Sequence, residues 1–347
     1  MTIPGDSVTT DSRAATIRRF LDAHGLAGAV RAPLAGDASA RRYERLTLPD
    51  GTTRILTDTP DPAADLIPFI TIGRVLDRLG LSVPRVLAAD TAAGLAVQED
   101  FGDDTFTRCL DRGDDPAPLY ALATDALIRL HRGFTPADAA GLDLPLYDAG
   151  LFVEQVMLFA DAYVPLTLGR PLLERERNDH AAAWMAVVEP VCAGPRSLLL
   201  RDYHMGNLMR VPRDGVRAAG LIDFQGAGLG PVAYDLMSLV EDARRDVPDD
   251  LASAMKARYL DAFPALDRAA FHRAFAVLGA VRHARVIGIF ARLAVREGRR
   301  GYLVHMPRLW RLLERALAHP DLAPVAGWFG RHLPPPARAA FAIPETD

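Results

Sequence analysis

The stretch LLLRDYHMGNLM, residues 198–209, decides how this chain is read. Three leucines, a run short enough for a buried strand, pass straight into Arg201, Asp202, Tyr203 and His204. After Gly206 and Asn207 the chain is apolar again. The pattern predicts a tight polar loop over 201–206 at the ends of two strands, with Asn207 to Val211 as the partner of Leu198 to Leu200. Loops held in this way tend to carry function.

Downstream, LIDFQGAG (221–228) reads as an apolar strand ending at Asp223, sixteen residues after Asn207. Upstream, the spacing of Ala14, Ile17, Phe20 and Leu21 predicts an amphipathic helix from Thr10 to His24, stopped by Gly25. AVRAPL (29–34), RYERLTL (42–48) and TRILTDT (53–59) predict a three-stranded meander, with Pro49-Asp50-Gly51 as a tight turn. A helix capped by Asp65 and ended by Gly80 is expected to pack on the sheet, with Pro68 tolerated in its first turn. PRVLAAD (84–90) and GLAVQED (94–100) add two strands, and the polar break EDFGDDT (99–105) marks the expected domain boundary. Thereafter apolar stripes predict helices over 117–131, 149–163 and 177–191, and again over 232–246, 252–263, 271–295 and 306–320. Only the tails, Met1 to Thr9 and Pro334 to Asp347, read as loose.

Composition narrows the function classes. The chain has 347 residues, half of them hydrophobic, and a net charge of −4. That balance provides no basic footprint for a nucleic acid. Cys109 and Cys192 are far apart and part of no CxxC pair, so buried thiols are expected rather than a disulfide or a zinc site. The first twenty residues lack the apolar core of a signal peptide, and no continuous apolar run approaches the roughly 18 residues that cross a bilayer. A cytoplasmic protein follows, with no membrane and no obligate protein partner evident. Lys256 is the only lysine in the sequence; every other basic residue is an arginine.

Asp202 and Asn207 make a DxxxxN pair, followed by the strand-borne Asp223. Alone the pair is weak, because Asp and Asn are common turn residues. In this order the three suit phosphoryl transfer, which needs an aligned acceptor hydroxyl, a carboxylate to take its proton and hard oxygen ligands for Mg²⁺.

A small mixed sheet with a helix, a polar break, a helical region and then this triad resembles the α+β, protein-kinase-like fold of the aminoglycoside phosphotransferases. The resemblance implies a bilobal arrangement: an antiparallel-sheet N-lobe with one packed helix over 1–100, and a larger, mainly helical C-lobe over 101–347. In that superfamily the loop usually reads HGDxHxxN; here Leu200 stands in place of the first His. By resemblance Asp202 is the catalytic base, Asn207 and Asp223 are Mg²⁺ ligands, and Asp235 in GPVAYDL (230–236) braces the loop. His204 has either a hydrogen-bonding role or one in proton transfer, and Arg201 orients the loop or offsets local charge.

The family's strand-three lysine is missing, since TRILTDT contains none. Cationic help to ATP must come from arginine, with Arg41, Arg42 and Arg54 as candidates, because a guanidinium grips phosphate oxygens bidentately. Ser39 and neighbouring amides in GDASARRY (36–43) are further phosphate candidates, and backbone groups of Gln98, Glu99 and Asp100 are candidates for the adenine edge. GDASARRYERL (36–46), LTDTP (56–60), VPRVLAAD (83–90), EDFGDDT (99–105), FVEQ (152–155), LRDYHMGNLM (200–209), LIDFQGAGLGPVAYDLMSLVEDARRDV (221–247) and VIGIFARL (286–293) together resemble the anomeric N-acetylmuramate/N-acetylglucosamine kinases of bacterial cell-wall recycling. The implied activity is ATP- and Mg²⁺-dependent phosphorylation of the sugar's C1 hydroxyl. Glu154, Gln155, Arg282, Arg285 and Arg292 interrupt apolar helices and are candidates for the sugar. Another small alcohol, such as an aminoglycoside or a choline-like compound, is the nearest alternative acceptor. A nucleotide-binding pseudokinase is a third reading, motivated by the absent lysine.

Overall fold

The computed structural model describes residues 6–34, 41–335 and 338, with side chains from Ser12 onward. Ser39 and most of the proposed phosphate loop lie outside these residues, as do residues 1–5 and most of the C-terminal tail. The chain forms two compact units. The first takes residues 1–114, 136–143 and 205–226, and the second takes 115–135, 144–204 and 227–347. The first unit therefore contains the whole expected N-lobe, but a single cut at residue 100 does not describe the division.

In the first unit, helix α1 (Asp6–Ala23) precedes strands β1 (Val30–Pro33), β2 (Arg42–Thr47) and β3 (Thr53–Asp58); α2 (Leu66–Arg78), β4 (Val86–Asp90) and β5 (Leu95–Glu99) follow. The strands form one antiparallel sheet in the order β1-β2-β3-β5-β4. Alternation sorts its side chains between two faces. Leu46, Leu56, Leu95 and Val97 meet Ile17, Phe20 and Leu21 of α1 in a buried cluster, each large side chain worth about 1.5–3 kcal/mol of transfer free energy. The expected packed helix is thus joined by α1. Asp65 stands at the N-cap of α2, yet its side chain does not cap the helix; it accepts from Thr59 Oγ1 at 2.8 Å instead.

The first unit also holds α3 (Phe106–Asp111), the single turn α5 (Pro136–Ala139) and the strands β7 (Leu208–Arg210) and β8 (Ala219–Leu221). β7 pairs antiparallel with β8. Hydrogen bonds fix this hairpin to the N-terminal half: Leu221 N–H to Ser82 O at 2.8 Å, Ser82 Oγ to Arg217 O at 2.7 Å, and Arg210 N–H to Asp104 O at 2.7 Å. The expected pairing of 198–200 with 207–211 does not occur. β6 (Arg196–Leu199) pairs with β9 (Gly228–Pro231) in a separate two-stranded sheet. A left-handed Arg201 and a 3₁₀ turn at Met205–Asn207 redirect the chain between β6 and β7.

The second unit is helical around β6 and β9. Its helices are α4 (Pro116–Gly133), α6 (Ala149–Leu158), α7 (Val164–Leu168), α8 (Glu174–Cys192), α9 (Ala233–Val240), α10 (Asp249–Ala262), α11 (Arg268–Arg296), α12 (Met306–Leu317) and α13 (Ala323–His332). The helix expected over 149–163 passes into a π turn at Phe159–Tyr163. The one expected over 232–246 ends at Val240, and α13 was not anticipated. α11 packs against α6, α8, α9, α12 and the π turn. Gly288 permits the closest approach: a Cβ there would lie 2.7 Å from the backbone of Leu158 and Phe159. Trp184, Trp328, Tyr163, Phe159 and Phe329 are among the largest buried side chains.

Residues 149–168 and α11 are long and apolar enough to span a bilayer by length and composition, contrary to expectation. α11 is nonetheless mostly buried within its own unit and carries buried Arg282, His283 and Arg285, the pattern of a core helix. Both cysteines are buried free thiols. Lys256, on α10, places its amine 4.8 Å from the centre of the Phe275 ring.

Candidate active site

Among the described residues only two non-glycine residues have a positive φ, Arg201 at 75° and Asp223 at 60°. Such conformations cost free energy and collect at functional sites. Here they fall beside the proposed base and on a proposed metal ligand.

In the first unit, Asp223 follows β8 and gathers three donors. Arg41 Nη2 donates to Oδ1 at 2.7 Å, Gln225 Nε2 to the same oxygen at 2.8 Å, and Asn207 Nδ2 to Oδ2 at 3.4 Å. Ile222 N–H to Asn207 O at 3.1 Å holds the two ligand-bearing segments together. No group of three His, Cys, Asp or Glu side chains suited to a metal exists among the described residues. A Mg²⁺ ion held by Asn207 and Asp223 would complete its shell with phosphate oxygens and water, its usual habit with nucleotides. The oxygen donors fit that role.

The sheet face turned away from α1 lines a small cavity with Arg41, Tyr43, Thr57, Asp65, Phe69, Gln98 and Gln225. Thr57 Oγ1 and Gln225 Oε1 are buried there without a hydrogen-bond partner, and buried polar atoms normally have one. The two atoms are free to pair with a polar ligand. Beneath it Phe69 stacks on Phe224 at 4.9 Å between ring centres.

Strand register separates the three arginine candidates. Arg42 pairs with Asp58, which is bonded by Arg13 of α1, and Arg54 pairs with Leu46, which is buried against α1. Both side chains therefore belong to the α1 face, leaving Arg41 at the cavity. Of the proposed adenine segment, Gln98 lines the cavity. Glu99 N–H already donates to Arg85 O at 2.9 Å and the Glu99 carboxylate accepts from Arg213 at 2.5 Å, while Asp100 pairs with Arg45 at 2.7 Å.

In the second unit, the loop after β6 hangs from Asp235. Its carboxylate accepts Leu200 N–H at 2.6 Å and Arg201 N–H at 2.9 Å, which is how it braces the loop. Burial at 1% exposure pushes its pKa up to about 7, and the two N–H bonds oppose that shift. Tyr203 anchors the other side, its hydroxyl donating to Ala123 O at 2.8 Å. Asp202 keeps 39% of its side chain exposed, with Arg201 Nε 3.8 Å from Oδ2. Burial favours its neutral form, but the charges of Arg201, Arg285, Arg282 and His204 outweigh that and hold the carboxyl below the ordinary range. It is an anion at neutral pH, ready to accept a proton. Burial lowers the pKa of His204, Asp242 pulls the other way, and Arg282 and Arg244 add to the lowering.

Of the five sugar candidates, Glu154 and Arg292 are exposed. Arg282 and Arg285 are buried, and Gln155 is half-buried with its Oε1 lacking a partner. Sequence reasoning missed Tyr43, Thr57 and Gln225 at the cavity and Tyr147 near Asp202, Arg201 and Arg285. The parity of Tyr43 and Thr57 within their strands carried a signal; nothing marked Tyr147.

Residues 30–272 match the model of the phosphotransferase enzyme family. The N-acetylmuramate/N-acetylglucosamine kinase of Caulobacter vibrioides is 37% identical, covering 94% of this chain and 98% of its own. Among solved structures, choline kinase LicA from Streptococcus pneumoniae superposes with a TM-score of 0.60 at 13% identity, covering 88% of this chain and 99% of its own. A mutant aminoglycoside 2'-phosphotransferase-IIIa in its GDP complex gives 0.62 at 13% identity over 88% and 97%. With an antiparallel-sheet unit, a helical unit and these relatives, the chain belongs to the phosphotransferase enzyme family, as a small-molecule kinase of protein-kinase-like fold similar to the N-acetylmuramate/N-acetylglucosamine kinases.

Proposed function

We propose that the chain transfers the γ-phosphoryl group of ATP to the anomeric C1 hydroxyl of N-acetylmuramate, N-acetylglucosamine or both, giving the sugar 1-phosphate for peptidoglycan recycling towards UDP-sugars. The observation that carries this is the ionised Asp202 among Arg201, Arg282 and Arg285, an environment hostile to cationic aminoglycosides or choline and suited to a neutral or anionic sugar. The name of the Caulobacter relative supports the choice.

Asp202 accepts the hydroxyl proton as the O1–P bond forms and the bond from Pγ to the bridging oxygen of ADP breaks. An anomeric hydroxyl is more acidic than other sugar hydroxyls, so a carboxylate with a low pKa suffices. Asn207 and Asp223 would hold Mg²⁺, which neutralises phosphate charge when bound. Arg41 takes the place of the missing lysine on the phosphates, releasing Asp223 as it does so. Ser39, Glu99 and Asp100 stay as backbone-level candidates for nucleotide contacts, and His204 shapes the loop. The setting is cytoplasmic, without a nucleic-acid, membrane or obligate protein partner.

The test is ³¹P NMR of the protein with Mg²⁺-ATP and, in turn, N-acetylmuramate, N-acetylglucosamine, kanamycin and choline. A phosphorus signal coupled to the anomeric proton is expected with one or both sugars. Transfer to kanamycin or choline alone would overturn the acceptor, and ATP binding without transfer to any would favour the pseudokinase.

A further inference from the structure

We propose that Asp65 is a positioning residue for the nucleotide: it shares the Arg41 guanidinium with Asp223 and keeps it in place when Asp223 turns to Mg²⁺. The proposal rests on the reading above, in which Asp223 takes the metal and Arg41 the phosphates. All the residues involved belong to the first unit.

An Asp at an N-cap ordinarily accepts the amide of the second or third helical residue. The sequence denies Asp65 that task. The third residue of α2 is Pro68, which has no N–H, and the N–H of Ile67, the second, donates to Pro62 O at 2.9 Å. The carboxylate is used sideways instead. Thr59 Oγ1 donates to Oδ2 at 2.8 Å, and Oδ1 stands 3.7 Å from Arg41 Nε. Thr59 is itself fixed, being 1% exposed with its N–H donating to Gly94 O at 2.9 Å.

Arg41 therefore meets a carboxylate on each edge. Nε faces Asp65, Nη2 donates to Asp223 Oδ1 at 2.7 Å, and the Tyr43 hydroxyl is a further partner. A guanidinium N–H and a divalent cation compete for the same carboxylate lone pairs, so metal on Asp223 costs Arg41 its bond there. Asp65 then retains the Nε edge and leaves the other nitrogens to phosphate oxygens, which a guanidinium can grip in a fork. An arginine already held at one edge loses less rotamer freedom on meeting the phosphates. Without the Asp65 charge, Arg41 would fall back on Asp223 alone, in competition with Mg²⁺, and would reach the phosphates unanchored.

The experiment is calorimetric binding of the non-hydrolysable β,γ-imido analogue of ATP over a range of Mg²⁺ concentrations, with the wild type, Asp65→Asn, Arg41→Ala and the double variant. Asparagine keeps the shape and can still accept from Thr59, but it carries no charge. Asp65→Asn should raise the Mg²⁺ concentration at half-saturation about fivefold, the upper range for a partly exposed ion pair. In the Arg41→Ala background the same change should have no effect. Thr59→Val, which removes the other hydrogen bond to Asp65, should shift the wild type in the same direction by a smaller factor, and it serves as the test should Asp65→Asn fold poorly by circular dichroism. An equal shift with and without Arg41 would mean that Asp65 only shapes the start of α2 and would overturn the proposal. So would an unchanged or lower Mg²⁺ requirement in Asp65→Asn. A wild type that binds the analogue at no Mg²⁺ concentration removes the kinase reading itself, an outcome distinct from these.

Discussion

Asp202 illustrates how a residue's task follows from its surroundings. Three arginines keep it ionised, so the acid limb of kcat/KM should lie below the ordinary aspartate value of about 3.9, and Arg201→Met should move that limb upward by removing a charge that favours the anion. Asp202→Asn should cut kcat by about 10²–10⁴ with little change in ATP affinity by calorimetry; a rate within a few-fold of wild type would exclude it as the base. The arginines of the first unit make a second contrast. Arg41→Ala should raise the KM for ATP about tenfold, whereas Arg42→Ala and Arg54→Ala, on the α1 face, should leave it near wild type. The sequence singles out Asp202, Asn207 and Asp223 by order and spacing, and their roles as base and metal ligands are the proposal tested above. Which arginine faces the cavity was not legible, since Arg41 precedes β2 and its direction depends on tertiary structure.

At the scale of elements, the helices with clear stripes were readable and their interruptions were not. The π turn at Phe159–Tyr163 and the early end of α9 come from packing, which local periodicity does not encode. The strand pairing failed for the same reason: β6 is close in sequence to β7 but bonds to β9, some thirty residues on. Gly288 shows packing overriding propensity. Gly288→Ala should gain up to about 1 kcal/mol of helix propensity, yet the added methyl meets backbone that cannot rotate away, a cost of about 1–3 kcal/mol. Net destabilisation is expected, seen as a lower denaturant midpoint; a more stable variant would show that α11 can shift.

For the whole molecule, burial of ionisable groups sets the response to acid. Burial pushes His131 and His180 down to about 4, so between about pH 6.5 and 4 the unfolded chain binds two protons that the folded chain refuses. Asp235, raised to about 7, works in the opposite sense with one proton. The unfolded state gains the net proton, so Tm should fall as pH drops through this window. A Tm that rose would mean that Asp235 dominates or that the histidines are solvated. The sequence displayed the two kinds of unit but not their discontinuity, because the hairpin of β7 and β8 joins the first unit through hydrogen bonds to Ser82 and Asp104 that no motif announces.

The solitary Lys256 has a practical corollary. Lysine-directed acyl-phosphate analogues of ATP, which tag kinases through a nucleotide-site amine, would find no side-chain amine in the first unit. The same scarcity makes the protein addressable: an amine-reactive fluorophore has one side-chain target, on α10, and the ring of Phe275 under its ammonium gives that single label a defined position.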